Sequence, residues 1–271
     1  MIKQAIIPLA GLGTRLLPLT SVMPKELLPI NGKPGLEYIL DECLKAGIKE
    51  VIFIISNKKK IIKDYFYKDA FFKKIINKKK NNKELKAQYA KIKKFKKMIK
   101  FVYQNKPKGT GDAVLKCKPL IKSKFFLMLL PDDLIVERNC SLDMIKLHKK
   151  YNASVIASKR VKNKDVSRWG IFKLKKFKKN NFIINDVIEK PIVKKAPSNY
   201  AVIGRYILPK KIFKTLKKQK PGQNGEIHIT DAIRKLINQK NKFIGHVFAG
   251  KYLDCGTMSG YINSSLEISR L

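Results

Sequence analysis

The chain has few of the features that mark membrane, secreted or zinc-binding proteins. Its longest apolar stretch, residues 125–131, has the length of a strand, whereas a membrane helix needs roughly 18 to 20 apolar residues. The N-terminal residues lack the apolar core of a signal peptide, so a cytoplasmic protein is expected. The four cysteines are scattered and form no Cys-x-x-Cys pair. This spacing argues against a disulfide framework and against a zinc site.

Acidic residues and arginine are also scarce, whereas lysine is abundant. The 60 Lys and Arg residues face only 20 Asp and Glu residues, which gives a formal net charge of +40, and only seven of the basic residues are arginine. Nucleic-acid readers use arginine for bidentate contacts to bases and phosphates, and interleaved aromatic residues for stacking. Specific nucleic-acid binding is therefore not expected, and a polyanion-binding protein is the least favoured alternative.

Strand-length apolar segments alternate with helix-length segments over roughly the first 160 residues. This rhythm is typical of βαβ units around a parallel sheet. From about Arg168 the pattern becomes antiparallel, with residues 170–174 and 182–189 predicted as a hairpin. Thr230 is predicted to cap an amphipathic helix. We expect an α/β protein with a mixed, mostly parallel central sheet flanked by helices.

The length and patterning indicate a single domain over residues 1–271 with two distinctive regions. Residues 57–100 are the most lysine-rich part and carry aromatic residues at spacings that fit helices. We interpret them as a helical excursion that packs its aromatic side chains and exposes its lysines, rather than as a basic arm for RNA or lipid headgroups. Residues 168–208 contain the hairpin.

An apolar strand leads directly into the glycine turn Ala10-Gly-Leu-Gly-Thr-Arg15, and Pro24-Lys-Glu26 follows on the next loop. The turn is not a dinucleotide fingerprint, because Leu16 stands at the third glycine position, and no Gly-Lys-Ser/Thr of a P-loop occurs. A glycine pair alone favours an ordinary tight turn. Two cations, Arg15 and Lys25, beside exposed backbone N–H groups instead predict a cradle for nucleotide phosphates.

Carboxylates follow two of the predicted strands. Asp132 and Asp133 come directly after the apolar strand at residues 125–130, and Asp254 lies between a strand and a helix. In open α/β sheets this edge is where ligands bind. Mg²⁺ commonly takes one or two carboxylates plus substrate phosphates, whereas a lone aspartate here is more often a turn or cap residue. Beside a phosphate cradle, Asp132 and Asp254 are predicted to hold Mg²⁺.

The hairpin ends on Glu189-Lys190-Pro191, in which one group could bind a phosphate and the other sugar hydroxyls. A surface ion pair is the alternative interpretation, and the residues alone do not decide between them. The three histidines lack the context of a Ser-His-Asp or Cys-His set, and no His-Glu-x-x-His motif occurs. The sequence thus contains no constellation for nucleophilic catalysis.

Taken together, these motifs resemble the bacterial UTP glucose-1-phosphate uridylyltransferases, within the sugar-nucleotide pyrophosphorylases. A thymidylyltransferase or another sugar-nucleotide pyrophosphorylase is the first alternative, but the thymidylyltransferases typically carry Gly-Gly where this chain has Ala10-Gly11. The matching motifs run in order along the whole chain and are Ala10-Gly-Leu-Gly-Thr-Arg15, Pro24-Lys-Glu26, Leu130-Pro-Asp-Asp133, Glu189-Lys-Pro191, Ser198-Asn199, Val202-Ile-Gly-Arg-Tyr206, Gly225-Glu226, Ile229-Thr-Asp-Ala232 and Asp254-Cys-Gly256.

The resemblance implies a Rossmann-like nucleotidyltransferase fold and in-line attack by a glucose 1-phosphate oxygen on the α-phosphorus of UTP. It also implies a homodimer or homotetramer. The implied catalytic residues are Arg15, Lys25 and Lys190. The implied nucleotide-binding residues are Ala10, Gly11, Gly13, Glu26, Gln104 and Gly109. The implied sugar-phosphate-binding residues are Gly170, Glu189 and Lys190, and the implied Mg²⁺ ligands are Asp132 and Asp254.

One motif departs from the pattern of the family. The family usually has Lys-Gly-Leu-Gly-His-Ala, where this chain has Lys108-Gly-Thr-Gly-Asp-Ala113. Asp112 brings a negative charge close to the implied nucleotide. The sequence leaves the preference for base or metal open at this point, as it does the identity of the sugar.

Overall fold

The structure is a computed structural model that describes residues 2–222 and 225–271. Its strands are β1 (Gln4–Pro8), β2 (Pro29–Ile30), β3 (Lys33–Pro34), β4 (Glu50–Ile55), β5 (Ile99–Tyr103), β6 (Phe125–Leu129), β7 (Asp133–Val136), β8 (Ser154–Arg160), β9 (Gly170–Lys178), β10 (Asn181–Glu189), β11 (Tyr200–Pro209), β12 (Phe243–Val247) and β13 (Lys251–Asp254). Its α-helices are α1 (Gly35–Lys45), α2 (Lys60–Tyr67), α3 (Ala70–Lys78), α4 (Lys83–Met98), α5 (Thr110–Lys116), α6 (Cys140–Tyr151), α7 (Ile212–Lys217), α8 (Ile229–Asn238) and α9 (Met258–Ser269).

In the described part of the chain, nine strands form one sheet in the order β5-β4-β1-β6-β11-β8-β12-β10-β9. The strands β5, β4, β1 and β6 are mutually parallel, as the βαβ rhythm predicts. Strand β11 then returns antiparallel between β6 and β8, and the β9–β10 hairpin adds further antiparallel pairs. The predicted mixed α/β sheet is confirmed. Its parallel pairs are confined to one half and to β8–β12, so the sheet as a whole is less parallel than expected.

The central strands are apolar on both faces because helices cover both sides of the sheet. Alternate residues of β4 enter two separate cores: Val51 and Phe53 belong to one, and Ile52 and Ile54 to the other. Helices α1, α2, α4 and α6 cover the first face, and α5, α7 and α8 cover the second. A strand buried on both faces reads as a continuous apolar run, which is why these strands are visible in the sequence.

The lysine-rich excursion forms helices α2 to α4, as predicted. Phe66 and Phe95 are fully buried against the first core, and Asn82 caps α4 by accepting a hydrogen bond from the Leu85 N–H at 2.9 Å. All four cysteines are free and buried, in agreement with the prediction of ordinary thiols. Within residues 2–222 and 225–271, every helix is too short or too polar to cross a bilayer.

The hairpin and helix α8 differ from the prediction in detail. Residues 175–181 lie between the two predicted hairpin strands. Of these, residues 175–178 belong to β9, and the turn is reduced to Lys179 and Asn180. The prediction that Thr230 caps α8 is wrong. His228 occupies the N-cap position, and the Thr230 hydroxyl instead donates a hydrogen bond to Glu189 Oε2 at 2.7 Å. The Thr230 hydroxyl therefore bonds to Glu189 on β10 and not to the backbone of its own helix.

Candidate functional site

A long cleft opens at the carboxyl ends of β1 and β6, at the position where open α/β sheets bind ligands. One part has a volume of about 440 Å³ and adjoins the glycine turn. The other has a volume of about 670 Å³ and extends to the β9–β10 hairpin and to β13. Thr14, Thr110 and Asp132 line both parts. We call the two parts the turn-side pocket and the hairpin-side pocket.

The glycine turn folds back on itself after β1. Gly13 has a φ of +69°, in the left-handed region that favours glycine, and its carbonyl oxygen accepts a hydrogen bond from the Thr20 hydroxyl at 2.8 Å. A side chain at Gly11 would meet no atom within 4 Å, and Gly11 lines the turn-side pocket. Ala10, Gly11 and Gly13 thus contribute small residues to this wall of the pocket, beside the larger Leu12.

The two predicted cations converge on one carboxylate. Lys25 Nζ lies 2.6 Å from Asp132 Oδ2, and Arg15 Nη2 lies 3.8 Å from the same oxygen. Burial favours the neutral forms of Lys25 and Asp132, but their mutual attraction outweighs it. As a result, the pKa of Lys25 is raised and the pKa of Asp132 is lowered. The Arg15 side chain is 62% exposed, which leaves it free to bind an anion in the cleft.

Asp254 reaches Asp132 through a small two-stranded sheet. Strand β13 pairs antiparallel with β7, and the Cys255 N–H donates to the Asp132 carbonyl at 2.8 Å. A Cβ added at Gly256 would lie 3.0 Å from Asp132 Oδ2 and 3.1 Å from Asp254 Oδ1, so the two oxygens lie close to one another beside the Gly256 backbone, whose N–H donates to Asp254 Oδ1 at 2.9 Å. Arg168 Nη2 lies 3.1 Å from the other oxygen of Asp254.

The carboxylates of Asp132 and Asp254 fit Mg²⁺, which takes further ligands from substrate phosphates, better than a metal ion that takes all of its ligands from the protein. No three His, Cys, Asp or Glu residues come together at a common point in the described ranges. The pair Asp132 and Asp254 matches the one or two carboxylates that Mg²⁺ uses when phosphates supply other ligands. The predicted ligands are thus adjacent, although they lie in distant parts of the sequence.

Asp133 lines the hairpin-side pocket beside Asp132, and its carboxylate organises the neighbouring backbone. Its carboxylate accepts hydrogen bonds from the Gly204 N–H at 2.8 Å and the Tyr252 hydroxyl at 2.6 Å. Burial, together with the neighbouring charge of Asp132, raises the pKa of Asp133 to about 6. Asp132 and Asp133 therefore have different environments. Of the two carboxylates, that of Asp132 is the one that contacts Arg15 and Lys25.

A buried ion pair that sequence reasoning missed supports the same loop. Arg205 is fully buried and donates to both Glu42 oxygens, with the Nη2–Oε2 distance at 2.8 Å. Its Nη1 also donates to the carbonyl of Leu130, two residues before Asp132, at 3.2 Å. A charged residue inside the apolar strand β11 was the available signal, since arginine is almost never fully buried unless paired. Its partner could not be read from the sequence.

The hairpin-side pocket contains the predicted sugar-phosphate residues. Gly170 and Glu189 are opposite each other in the β9–β10 pair, and a Cβ at Gly170 would lie 3.2 Å from Glu189 Oε2. Lys190 is exposed, has a φ of +43°, and its N–H donates to the Trp169 carbonyl at 3.1 Å. Among the residues that the structure describes, the Lys190 ammonium forms no ion pair and is thus available to a ligand.

The far wall of the turn-side pocket holds Glu26, Gln104 and Gly109. Glu26 is buried and accepts two hydrogen bonds from Lys59 Nζ, the shorter at 2.8 Å. Burial lowers the pKa of Lys59 more than the attraction of Glu26 raises it. Gly109 has a φ of +92°, and a Cβ there would lie 2.6 Å from the Ile227 carbonyl oxygen. A larger residue at position 109 would clash with the Ile227 backbone unless one of the two segments moved.

All predicted site residues therefore line one cleft, although their individual roles stay predictions. The residues on the turn-side pocket are Ala10, Gly11, Gly13, Lys25, Glu26, Gln104, Gly109 and Asp132. The residues on the hairpin-side pocket are Arg15, Asp132, Gly170, Glu189, Lys190 and Asp254. Sequence reasoning missed Arg168, Thr230 and Tyr252, whose contacts depend on distant elements.

Known proteins are similar to the chain over nearly its whole length. Residues 4–73 and 62–270 match the sequence model of the Nucleotidyl transferase family. The UTP--glucose-1-phosphate uridylyltransferase 2 of Streptococcus pyogenes is 37% identical over 98% of this chain and 90% of its own length. A solved UDP-glucose pyrophosphorylase complexed with UDP-glucose superimposes with a TM-score of 0.86 at 35% identity, covering 100% of this chain and 99% of its own. A UTP-bound UGPase from Acinetobacter baumannii has a TM-score of 0.89 at 31% identity, covering 99% and 93%.

Proposed function

This chain belongs to the nucleotidyl transferase family, among its UTP glucose-1-phosphate uridylyltransferases, and we propose that it forms UDP-glucose and pyrophosphate from UTP and glucose 1-phosphate. The relatives confirm the resemblance drawn from the motifs. The observation that carries the proposal is the division of the cleft into two pockets that share Asp132. One pocket suits a nucleotide and the other a sugar phosphate, so the two phosphates would meet where the cations converge.

In this reaction an oxygen of glucose 1-phosphate forms a bond to the α-phosphorus of UTP, and the bond from that phosphorus to the β-phosphate oxygen breaks. Pyrophosphate carries away the electron pair. Such a transfer needs no protein nucleophile, only positioning and charge neutralisation. Arg15 and Lys25 would bind the triphosphate, and Lys190 the phosphate of the sugar substrate. The uracil would rest against Ala10, Gln104 and Gly109.

Asp132 and Asp254 are the residues that would hold Mg²⁺. Their neighbouring oxygens, with room for phosphate oxygens beside them, support this assignment. When bound, the ion would neutralise charge on the phosphate oxygens. Cytoplasmic location stays a prediction from the N-terminal sequence, and a homodimer or homotetramer stays a prediction from the resemblance.

The experiment that tests the proposal is pyrophosphate release with glucose 1-phosphate and Mg²⁺, run in parallel with UTP, dTTP, CTP, ATP and GTP. We expect clear preference for UTP. Preference for dTTP would instead identify a thymidylyltransferase, and no release with any nucleotide would overturn the proposal. In the last case, RNA binding that persists in 200 mM salt would favour the polyanion alternative, because binding through scattered lysines is lost there.

The Thr230 hydroxyl provides a smaller prediction on the sugar side. Thr230→Val keeps the β-branched shape but removes the 2.7 Å hydrogen bond that holds Glu189. We expect the KM for glucose 1-phosphate to rise about fivefold to tenfold, since one hydrogen bond to a charged group is lost. Steady-state kinetics with varied glucose 1-phosphate measure this. Thr215→Val on α7 is the control, and an equal KM in both variants would contradict a role for Thr230 in holding Glu189.

A further inference from the structure

The side-chain amide of Gln104 has both of its N–H donors engaged by acceptors. Its Nε2 donates to Asp112 Oδ2 at 2.7 Å and to the Gly109 carbonyl at 3.3 Å. An ionised carboxylate and a backbone carbonyl can only accept, so the amide nitrogen and not the amide oxygen must face them. For most glutamine side chains the positions of the amide oxygen and nitrogen are ambiguous. For Gln104 its neighbours determine them.

The other end of the amide faces the pocket. Gln104 is 5% exposed and lines the turn-side pocket. The Oε1 atom of Gln104 accepts no hydrogen bond from residues 2–222 and 225–271. It is not fully buried either, so it remains accessible to a ligand. The pocket is thus offered an acceptor with a fixed direction. A ligand satisfies it only by bringing a hydrogen-bond donor.

We propose that Asp112 is a specificity-determining residue, which selects an N3–H pyrimidine by holding the oxygen of Gln104 towards the base. This inference rests on the proposed function, because it needs the base in the turn-side pocket. Uracil and thymine both carry an N–H at N3, which would donate to Gln104 Oε1. Cytosine in the same pose presents a lone pair at N3, and the two acceptors would repel. Asp112 itself does not contact the base and acts through Gln104.

Loss of Asp112 should change one base selectivity and leave another unchanged, whereas a merely structural role of Asp112 would change both. Discrimination between UTP and CTP depends on the amide orientation, whereas discrimination between UTP and dTTP does not, since both bases have the same donor. Loss of Asp112 would leave the Gly109 carbonyl as a single weak partner of the amide. Gln104 could then turn its N–H₂ to the pocket and accept cytosine.

The test measures kcat/KM of Asp112→Ala for UTP, CTP and dTTP. We expect the UTP to CTP ratio to fall about tenfold, the size of one misdirected hydrogen bond, while the UTP to dTTP ratio stays within about twofold. Asp112→Asn keeps an acceptor oxygen and should retain more of the ratio than alanine. The matched control is Asp143→Ala, because Asp143 is likewise an acid in the first turn of a helix. It should leave both ratios unchanged.

Exchanging the amide at position 104 and the carboxylate at position 112 gives a second, independent test. Gln104→Glu alone places two carboxylates together and should weaken UTP use strongly. Adding Asp112→Asn supplies a donor to the new carboxylate, which again presents an oxygen to the base, and should restore much of the activity with UTP but not with CTP. Equal loss for UTP and CTP in Asp112→Ala, or no restoration in the double variant, would overturn the proposal. If the wild-type protein releases no pyrophosphate, the proposed function fails, while calorimetric dissociation constants for UTP and CTP in the same variants still decide the role of Asp112.

Discussion

Replacing Asp132 with asparagine is expected to lower the rate of UDP-glucose formation about 1,000-fold. Asp132 lies on both pockets, accepts a hydrogen bond from Lys25 at 2.6 Å, and lies close to Asp254. Asparagine has the same shape but no charge, so it would lose the attraction for Lys25 and for Mg²⁺ together. The measurement is pyrophosphate release at saturating substrates over a range of Mg²⁺ concentrations.

The variant should remain folded, because Lys25 retains Glu26 as a neighbouring charge. Circular dichroism and the melting temperature establish this point. Asp143→Asn removes an acidic charge from α6, where Asp143 pairs with Lys146 away from both pockets, and should leave the rate unchanged. A folded Asp132→Asn protein with normal pyrophosphate release would refute the assignment of Asp132 to the reaction centre.

Replacing Lys190 with alanine is expected to lower kcat/KM for glucose 1-phosphate by about 1,000-fold, in the range found when a phosphate-binding cation is removed. Lys190 ends the β9–β10 hairpin with its backbone held by Trp169, and its ammonium lines the hairpin-side pocket. Its charge would align the sugar phosphate and offset repulsion from the UTP phosphates. Initial rates with varied glucose 1-phosphate at saturating UTP measure the effect.

The same hairpin offers a closely matched control. Lys179 lies at the other end of β10, is exposed, and also has a positive φ, +53° against +43° for Lys190. Lys179→Ala changes charge and backbone preference in the same way but far along the strand from the pocket, so its kinetics should match the wild type. Lys190→Arg should recover part of the activity, since it restores the charge with a different geometry. Similar kinetics for Lys179→Ala and Lys190→Ala would exclude a specific phosphate contact.

The parallel half of the sheet and the positions of its helices were predictable because the physical signals are local. Strand β4 is apolar on both faces, which indicates a buried strand, and α1 has its apolar stripe and end signals within a dozen residues. Thr230 shows where this reasoning fails. Its residue type predicts a cap, yet the helix already begins at Ile229, and Glu189 on another strand takes the Thr230 hydroxyl.

The class of fold, the glycine turn, and the carboxylates and cations of the cleft can be read from the chain alone, because each is specified by residue type and position relative to a strand end. Which of these groups become partners depends on the tertiary structure. It brings Asp254 to Asp132 through the register of β13 on β7, pairs Arg205 with Glu42, and directs the Gln104 amide by Asp112. These pairings depend on how distant segments pack and on which rotamers that packing permits, and no local pattern in the chain encodes them.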